Sequence, residues 1–315
     1  MPWEKVTTRS GHTYTDWRSP LPRIPDVMTR AVIYLFDDVL GAETGVSLGG
    51  SGFVATVFSE MDGRRIRHDY AVTNAHVVED GFCVVRVNLN EPVAGRKADC
   101  FDFARESWVT HPVHDLAVRP LPPDLDHSRL NMTGLTLQYF LSPEQCIQDQ
   151  VGPGDDLVYV GRFMDHAGRY ENLPSVRFGN ISMMPNESEP VEYEVNGTKR
   201  SQVGFLVESR SRAGYSGSPV FLLQQREAPG TRFVFAHKDL RLLGVDWGHL
   251  LEDVPLRDPS GHFHGQSFKV QVHAGMMGVV PAWYLKEFLE SSQFIEQRRK
   301  DVEWHLAHPP TAASE

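Results

Sequence analysis

The stretch AVIYLF (31–36) opens a series of short apolar runs that decides the fold class of this chain. The series continues with GFVATVF (52–58), YAVTNA (70–75) and CVVRVNL (83–89), and it resumes at DLVYVGRF (156–163). Each run has the length of a β-strand, is rich in β-branched or aromatic residues and is bounded by turn-forming Gly, Asp or Asn. The pattern predicts an all-β protein with two β-rich halves.

The places where this pattern stops predict the domain organisation. A proline-rich segment, RPLPPDLD (119–126), interrupts the strands, and the last part of the chain has apolar residues at helical spacing. We therefore expect an N-terminal arm over 1–28, a first β-barrel over 29–120, a linker over 121–135, a second β-barrel over 136–282, and one helix with a tail over 283–315. The polar segments 186–201 and 249–267 predict surface loops.

Composition limits the classes of function. The net charge of -10 argues against nucleic-acid binding, which needs clustered Lys and Arg. No apolar run approaches the roughly 18 residues of a membrane helix, and no charged and then apolar leader begins the chain. We expect no membrane association and a cytoplasmic location. The three cysteines, Cys83, Cys100 and Cys146, are scattered along the chain, match no zinc motif and are predicted to be reduced thiols. We expect no metal ion and no cofactor.

Ser216 is the candidate nucleophile, in GYSGSP (214–219). A serine hydroxyl is a weak nucleophile at neutral pH, so acyl transfer needs a base, a group that orients the base, and donors for the developing oxyanion. The flanking glycines favour a tight turn in which the amides of Gly214 and Ser216 converge on one point. We predict that these two amides form the oxyanion hole.

The candidate base and its orienting group lie in TNAHVV (73–78) and HDLAV (114–118). His76 follows a strand-like run, and Asp115 precedes an apolar pair at the mouth of a predicted strand. The order His, Asp, Ser along the chain differs from the Ser, Asp, His order of α/β-hydrolases. Together the three segments predict a catalytic triad of His76, Asp115 and Ser216.

TNAHVV, HDLAV and GYSGSP resemble the three signature segments of trypsin-like serine peptidases, in particular the bacterial HtrA-like type. The resemblance covers roughly residues 30–290, and no PDZ-like segment follows it. It implies a chymotrypsin-like fold of two six-stranded antiparallel β-barrels. It also implies a serine endopeptidase that hydrolyses protein or peptide substrates through an acyl-enzyme intermediate.

The same resemblance suggests substrate-binding residues. GVDWG (244–248) is similar to the substrate-pairing strand, which assigns Asp246, Trp247 and Gly248 to substrate binding. Arg210, six residues before the nucleophile, corresponds to the base of the pocket for the side chain preceding the scissile bond. A buried Arg210 would favour an acidic side chain there, and the alternative is an arginine that points to solvent.

Tyr215 departs from the family pattern, because trypsins have at this position an aspartate that receives a freed N-terminus. That activation step is therefore not expected here, which leaves room for an activating or inhibiting protein partner. One alternative function is a latent or inactive protease fold that serves as a binding module.

Two further alternatives concern other side chains. An α/β-hydrolase esterase would combine Ser216 with Asp246 or Asp253 and with His264 or His273, and it would need a helix directly after the nucleophile. The histidines at 249, 262, 264 and 273, with Asp253, also raise the possibility of a metal site, but their spacing matches no ligand signature and favours a polar loop. Cys83 is predicted to be a core residue rather than a nucleophile.

Overall fold

The computed structural model describes residues 5–7, 13–15, 24–47, 49–61, 63–195, 198–209, 214–223, 241–255, 260 and 269–308.

The first β-rich half forms a single sheet. The strands of this half are β3 (Val32–Phe36), β4 (Gly49–Met61), β5 (Arg64–Thr73), β6 (Val84–Val93), β7 (Arg96–Asp102), β8 (Val109–Thr110), β9 (Ala117–Pro120) and β10 (Leu135–Thr136). They pair in the order β7-β6-β3-β4-β5-β9-β8, with β10 alongside β4. A separate hairpin joins β1 (Lys5–Thr7) to β2 (Thr13–Thr15).

The second half is a closed barrel of antiparallel strands. Its members are β11 (Asp156–Gly161), β12 (Ser175–Met183), β15 (Phe205–Ser209), β16 (Pro219–Leu222), β17 (Arg241–Pro255) and β18 (Lys269–Pro281), paired in the order β11-β12-β15-β18-β17-β16. The all-β class and the six-stranded barrel of this half are confirmed. The first half differs in strand number, with eight strands where six were expected, because two-residue strands such as β8 and β10 are too short to give a sequence pattern.

The two predicted loops contain strands. In and just beyond 186–201, β13 (Val191–Val195) and β14 (Thr198–Gln202) form a hairpin between β12 and β15. Within 249–267, β17 continues to Pro255, paired with β18. Charged side chains in both segments hide the alternation that marks a strand with one buried face.

The C-terminal helix is interrupted. Besides α1 (Asp26–Arg30), α2 (Val39–Thr44), α3 (Ala75–Glu79) and α4 (Pro143–Gln148), the chain forms α5 (Ala282–Leu289) and α6 (Ser292–Ala307). Ser291, with φ −67° and ψ 159°, separates α5 from α6. Serine favours such a boundary because its side chain competes with helical hydrogen bonds. α6 packs on the first sheet through Phe294, whose ring lies 5.5 Å from that of Tyr70.

Three hydrophobic cores explain why β3 is apolar throughout. Ile33 and Leu35 face the core of the first half, whereas Tyr34 and Phe36 face a second core shared with the barrel and the C-terminal helices. The third core fills the barrel. Alternate side chains of one strand thus enter different cores, and the two halves are held by a continuous apolar interface. Within the described residues, no helix has both the length and the apolar character needed to span a membrane.

Candidate active site

His76 lies in the first turn of α3, directly after β5. Asp115 binds it at two points. The backbone amide of His76 donates to Oδ1 of Asp115 at 3.0 Å, and the ring Nδ1 lies 2.7 Å from Oδ2. Because a carboxylate only accepts, Nδ1 carries the ring proton, and Nε2 is the basic nitrogen of the neutral imidazole.

Asp115 is held between β8 and β9 with its side chain 3% exposed. Its backbone is fixed on both sides by side-chain amides. Asn74 donates from Nδ2 to the Asp115 carbonyl at 2.9 Å, and the Asp115 amide donates to Oε1 of Gln202 at 2.9 Å. The carboxylate is therefore presented to His76 from a rigid main chain.

The electrostatic environment of His76 favours the protonated ring. Burial is the largest effect and lowers the pKa of His76, but the hydrogen bond and charge of Asp115, with help from Asp80, outweigh it. Arg200 acts in the opposite direction. The net pKa is raised above the ordinary value of about 6.5. An imidazole stabilised in this way is suited to accept a proton during a reaction.

Ser216 occupies a tight turn between two left-handed glycines, Gly214 with φ +95° and Gly217 with φ +88°. The Ser216 carbonyl accepts from the amide of Ser51 at 2.9 Å, and the Gly217 amide donates to the carbonyl of Asp246 at 2.8 Å. A side chain at position 217 would lie 2.0 Å from the Ser51 carbonyl oxygen, so only glycine fits there. The turn is held between β4 of the first half and β17 of the second.

Ser51 anchors this turn a second time through its side chain. Its Oγ donates to the carbonyl of Gly214 at 2.7 Å and accepts from the amide of Arg162 at 2.8 Å. Among the described residues, the amides of Gly214 and Ser216 have no hydrogen-bond acceptor. These two amides are therefore the candidate donors to an oxygen atom beside Ser216.

His76, Gly214 and Ser216 line one cleft of about 810 Å³, together with Trp247 and Gly248. Gly248 borders the serine, because a Cβ atom built on it would lie 3.7 Å from Ser216 Oγ. Within the described residues, which include both side chains, no hydrogen bond joins the His76 ring to Ser216 Oγ. Such bonds often tighten only when substrate is bound.

Of the four predicted substrate-binding residues, two line the cleft, one does not, and one lies outside the described residues. Trp247 and Gly248 line the cleft. Asp246 is completely buried, and its Oδ1 accepts from the Gly248 amide at 2.7 Å, so it shapes the strand and does not line the cleft. Arg210 lies outside the described residues.

Tyr215 is fully buried behind the turn. Its hydroxyl contacts Ser175 Oγ and accepts from Nε of Arg177 at 2.7 Å. Its ring meets that of Tyr159 edge to face at 5.4 Å. Barrel residues therefore hold Tyr215 in place behind the turn.

Comparisons with known proteins give structural likeness only. No protein-family model and no curated protein sequence matches this chain. The active form of the Rv3671c protease from M. tuberculosis is similar in structure, with 16% identity and a TM-score of 0.44 over 84% of this chain and 82% of that one. The inactive form of that protease shows 15% identity and a TM-score of 0.41 over 84% of this chain and 90% of that one. The HtrA-type protease AlgW with decapeptide shows 14% sequence identity and a TM-score of 0.40 over 86% of this chain and 66% of that one.

The α/β-hydrolase alternative is wrong for this fold. The residues after Ser216 form the strand β16, where that fold requires a helix, and the sheet that contains β16 is antiparallel. Its proposed partners Asp246 and His273 lie on β17 and β18, and His264 lies outside the described residues.

Among the described residues, no three His, Cys, Asp or Glu side chains are grouped so that they could hold a metal ion. The rings of His249 and His273 stack at 4.8 Å, and Asp253 forms an ion pair with Lys269 at 3.3 Å. His262 and His264 lie outside the described residues. Cys83 is buried and burial raises the pKa of its thiol, which makes it a poor nucleophile.

The β13–β14 hairpin is the part of the site that the sequence did not predict. Glu192 and Tyr193 line the cleft, Arg200 pairs with Glu79 at 2.7 Å, and Gln202 holds the amide of Asp115. The hairpin carries no motif of its own. The only available signal was the alternation of VEYEV, which the surrounding polar residues mask.

Proposed function

We propose that this chain is a serine endopeptidase in which Ser216 is the nucleophile, His76 the general base and Asp115 the group that orients His76. The observation that carries the proposal is the two-point binding of His76 by Asp115 at the wall of a cleft that Ser216 also lines. The glycine turn supports it, since the amides of Gly214 and Ser216 have no other acceptor among the described residues.

Acylation begins when Ser216 Oγ bonds to the carbonyl carbon of the scissile peptide and Nε2 of His76 takes the hydroxyl proton. The carbonyl electron pair moves to oxygen, and the amides of Gly214 and Ser216 stabilise this oxyanion. Asp115 stabilises the imidazolium that forms. When the C–N bond breaks, His76 returns the proton to the departing amine.

Deacylation repeats these steps with water. His76 takes a proton from the water as its oxygen attacks the acyl carbon, and the proton then passes to Ser216 Oγ as the ester bond breaks. Carboxylic acid and free enzyme are regenerated, and no cofactor is needed. The substrate is a protein or peptide chain that lies along Trp247 and Gly248. The cytoplasmic location and a regulatory protein partner stay predictions.

Ser216→Ala, compared with Ser218→Ala, tests the proposal. Ser218 is a matched control because its buried Oγ has no hydrogen-bond partner among the described residues. Ser216→Ala should lower kcat for casein hydrolysis by about a millionfold, on the order of 8 kcal/mol. Ser218→Ala should retain activity. A Ser216→Ala protein that cleaves like the wild type contradicts the proposal.

The second candidate is a latent binding module, and the observation that favours it is the missing bond between His76 and Ser216. A fluorophosphonate probe separates the two functions, because it reacts only with an activated serine. Labelling of Ser216, lost in His76→Gln, supports the peptidase. A folded wild-type protein that resists labelling, even with a peptide in the cleft, supports the binding module.

A further inference from the structure

Gln202, at the end of the β13–β14 hairpin, contacts the backbone that presents Asp115. The residue is 2% exposed, and its Oε1 accepts from the Asp115 amide at 2.9 Å. Its Nε2 donates to the carbonyl of Val203 at 2.7 Å and to Nδ1 of His114 at 2.9 Å. A backbone amide only donates and a carbonyl only accepts, so these contacts fix the orientation of the Gln202 amide group.

The contact with Gln202 also fixes which ring nitrogen of His114 carries the proton. Because Nδ1 of His114 accepts from Gln202, its proton lies on Nε2. Burial, with a smaller effect from His111, lowers the pKa of His114 to about 4, so the ring is neutral at neutral pH. The ring stacks on Tyr284 of α5 with 3.7 Å between centroids. The peptide between His114 and Asp115 is therefore held by the hairpin and by α5.

Asp115 is thus held from both halves of the molecule. Asn74 of the first half binds its carbonyl, and Gln202 of the hairpin binds its amide. With both neighbouring peptides fixed, the Cα–Cβ bond of Asp115 has one direction, which places Oδ2 2.7 Å from Nδ1 of His76. A misplacement of about 1 Å in such a group typically costs about a hundredfold in rate.

The geometry points to Gln202 as a positioning residue of the active site, one that aligns the Asp115 carboxylate with His76 and touches neither substrate nor reacting atoms. This inference rests on the proposed function. The hairpin that delivers Gln202 also lines the cleft with Glu192 and Tyr193. The triad carboxylate is consequently aligned only when this segment is folded against the cleft.

Two variants of opposite chemistry test the role of Gln202. Gln202→Met keeps the size of the side chain and removes all three of its hydrogen bonds. Gln202→Glu keeps an oxygen that accepts from the Asp115 amide and adds a negative charge. An exposed residue of the same hairpin, Lys199, provides the control Lys199→Gln.

The readout is the pH profile of kcat/KM for a fluorogenic peptide, which reports the pKa of His76. The charges that act on that ring come from Asp115 and Asp80, which raise its pKa, and from Arg200, which lowers it. Gln202→Met should lower kcat at least about tenfold with little change in KM, and it should move the acid limb to lower pH because Asp115 stabilises the imidazolium less. Gln202→Glu should retain more activity than Gln202→Met and move the acid limb to higher pH.

A merely structural role for Gln202 would lower stability and leave the acid limb in place, so thermal unfolding is measured for each variant. An unmoved acid limb and unchanged kcat in folded Gln202→Met would overturn the inference and leave the proposed function intact. If Gln202→Met does not fold, the test depends on Gln202→Glu. An acid limb that stays in place or moves to lower pH in Gln202→Glu overturns the inference. A wild-type protein that neither cleaves nor labels at Ser216 overturns the proposed function itself.

Discussion

Arg86 and Arg162 bury their guanidinium groups against the same ring, that of Phe36, with Cζ 4.6 and 4.2 Å from its centroid. Each residue is 1% exposed. Arg86 donates five hydrogen bonds, four to backbone carbonyls and one to the Asn172 side chain. Burial lowers the pKa of both arginines to about 10, so both stay charged at neutral pH. The two cations join the first half to the segment that follows β11.

Arg86→Met should destabilise the protein by about 3 kcal/mol, because it removes the donor to one buried and three partly buried carbonyls and to the buried Asn172 side chain. Urea unfolding measures the loss. The control is Arg96→Met on the adjacent strand β7, where the arginine is exposed and the expected change is within about 0.5 kcal/mol. Equal effects of the two substitutions would show that the hydrogen bonds of Arg86 do not stabilise the contact between the halves.

Asp115→Asn should lower kcat/KM by about ten-thousandfold, because an amide neither holds the same tautomer of His76 nor stabilises its imidazolium. Since Asp115 raises the pKa of His76, the acid limb of the remaining activity should move to lower pH. The pH profile of peptide hydrolysis measures both effects. An acid limb that stays in place would mean that Asp115 does not determine the pKa of His76.

Two charges near His76 should shift its titration in opposite directions. Arg200→Met removes a cation that lowers the pKa of His76, so the acid limb should move to higher pH. Asp80→Asn removes an anion that raises it, so the limb should move to lower pH. Both shifts should shrink in high salt, because ions screen the partly exposed charges. Arg200→Lys keeps the charge and serves as the control, and shifts of the same sign would contradict the prediction.

Tyr215→Phe should destabilise the protein by about 1–3 kcal/mol, because it removes a buried hydroxyl that accepts a hydrogen bond from Nε of Arg177. Labelling of Ser216 by a fluorophosphonate should also slow, since Tyr215 directly precedes it. Tyr34→Phe is the matched control. The Tyr34 hydroxyl is buried without a hydrogen-bond partner among the described residues, so its removal should leave stability unchanged or raise it. The prediction fails if both substitutions have the same effect.

The parts of the candidate site that the sequence could predict lie next to regular strands. His76 follows β5, Asp115 precedes β9 and Ser216 precedes β16, and in each case the apolar run beside the residue marks its place. The glycines around Ser216 were informative because their positive φ angles suit few other residues.

The remainder depends on contacts between residues far apart in sequence. Gln202 meets Asp115 only because the β13–β14 hairpin packs against the first half, and a single glutamine in a polar segment gives no local signal of this. The extension of β17 to Pro255 escaped prediction for a related reason. Its outer residues pair with β18 but bury neither face, so the alternation that marks a half-buried strand is missing.

The anchors of the Ser216 turn come from both sides of it along the chain. Ser51 is made long before Ser216 during synthesis, whereas Asp246, which binds the Gly217 amide, leaves the ribosome thirty residues later. The turn therefore takes its final shape only after β17 has been made and paired. Under the proposed function, a nascent chain that has not yet reached β17 carries the nucleophile without the geometry that activates it, so it cannot cleave nearby proteins at that stage.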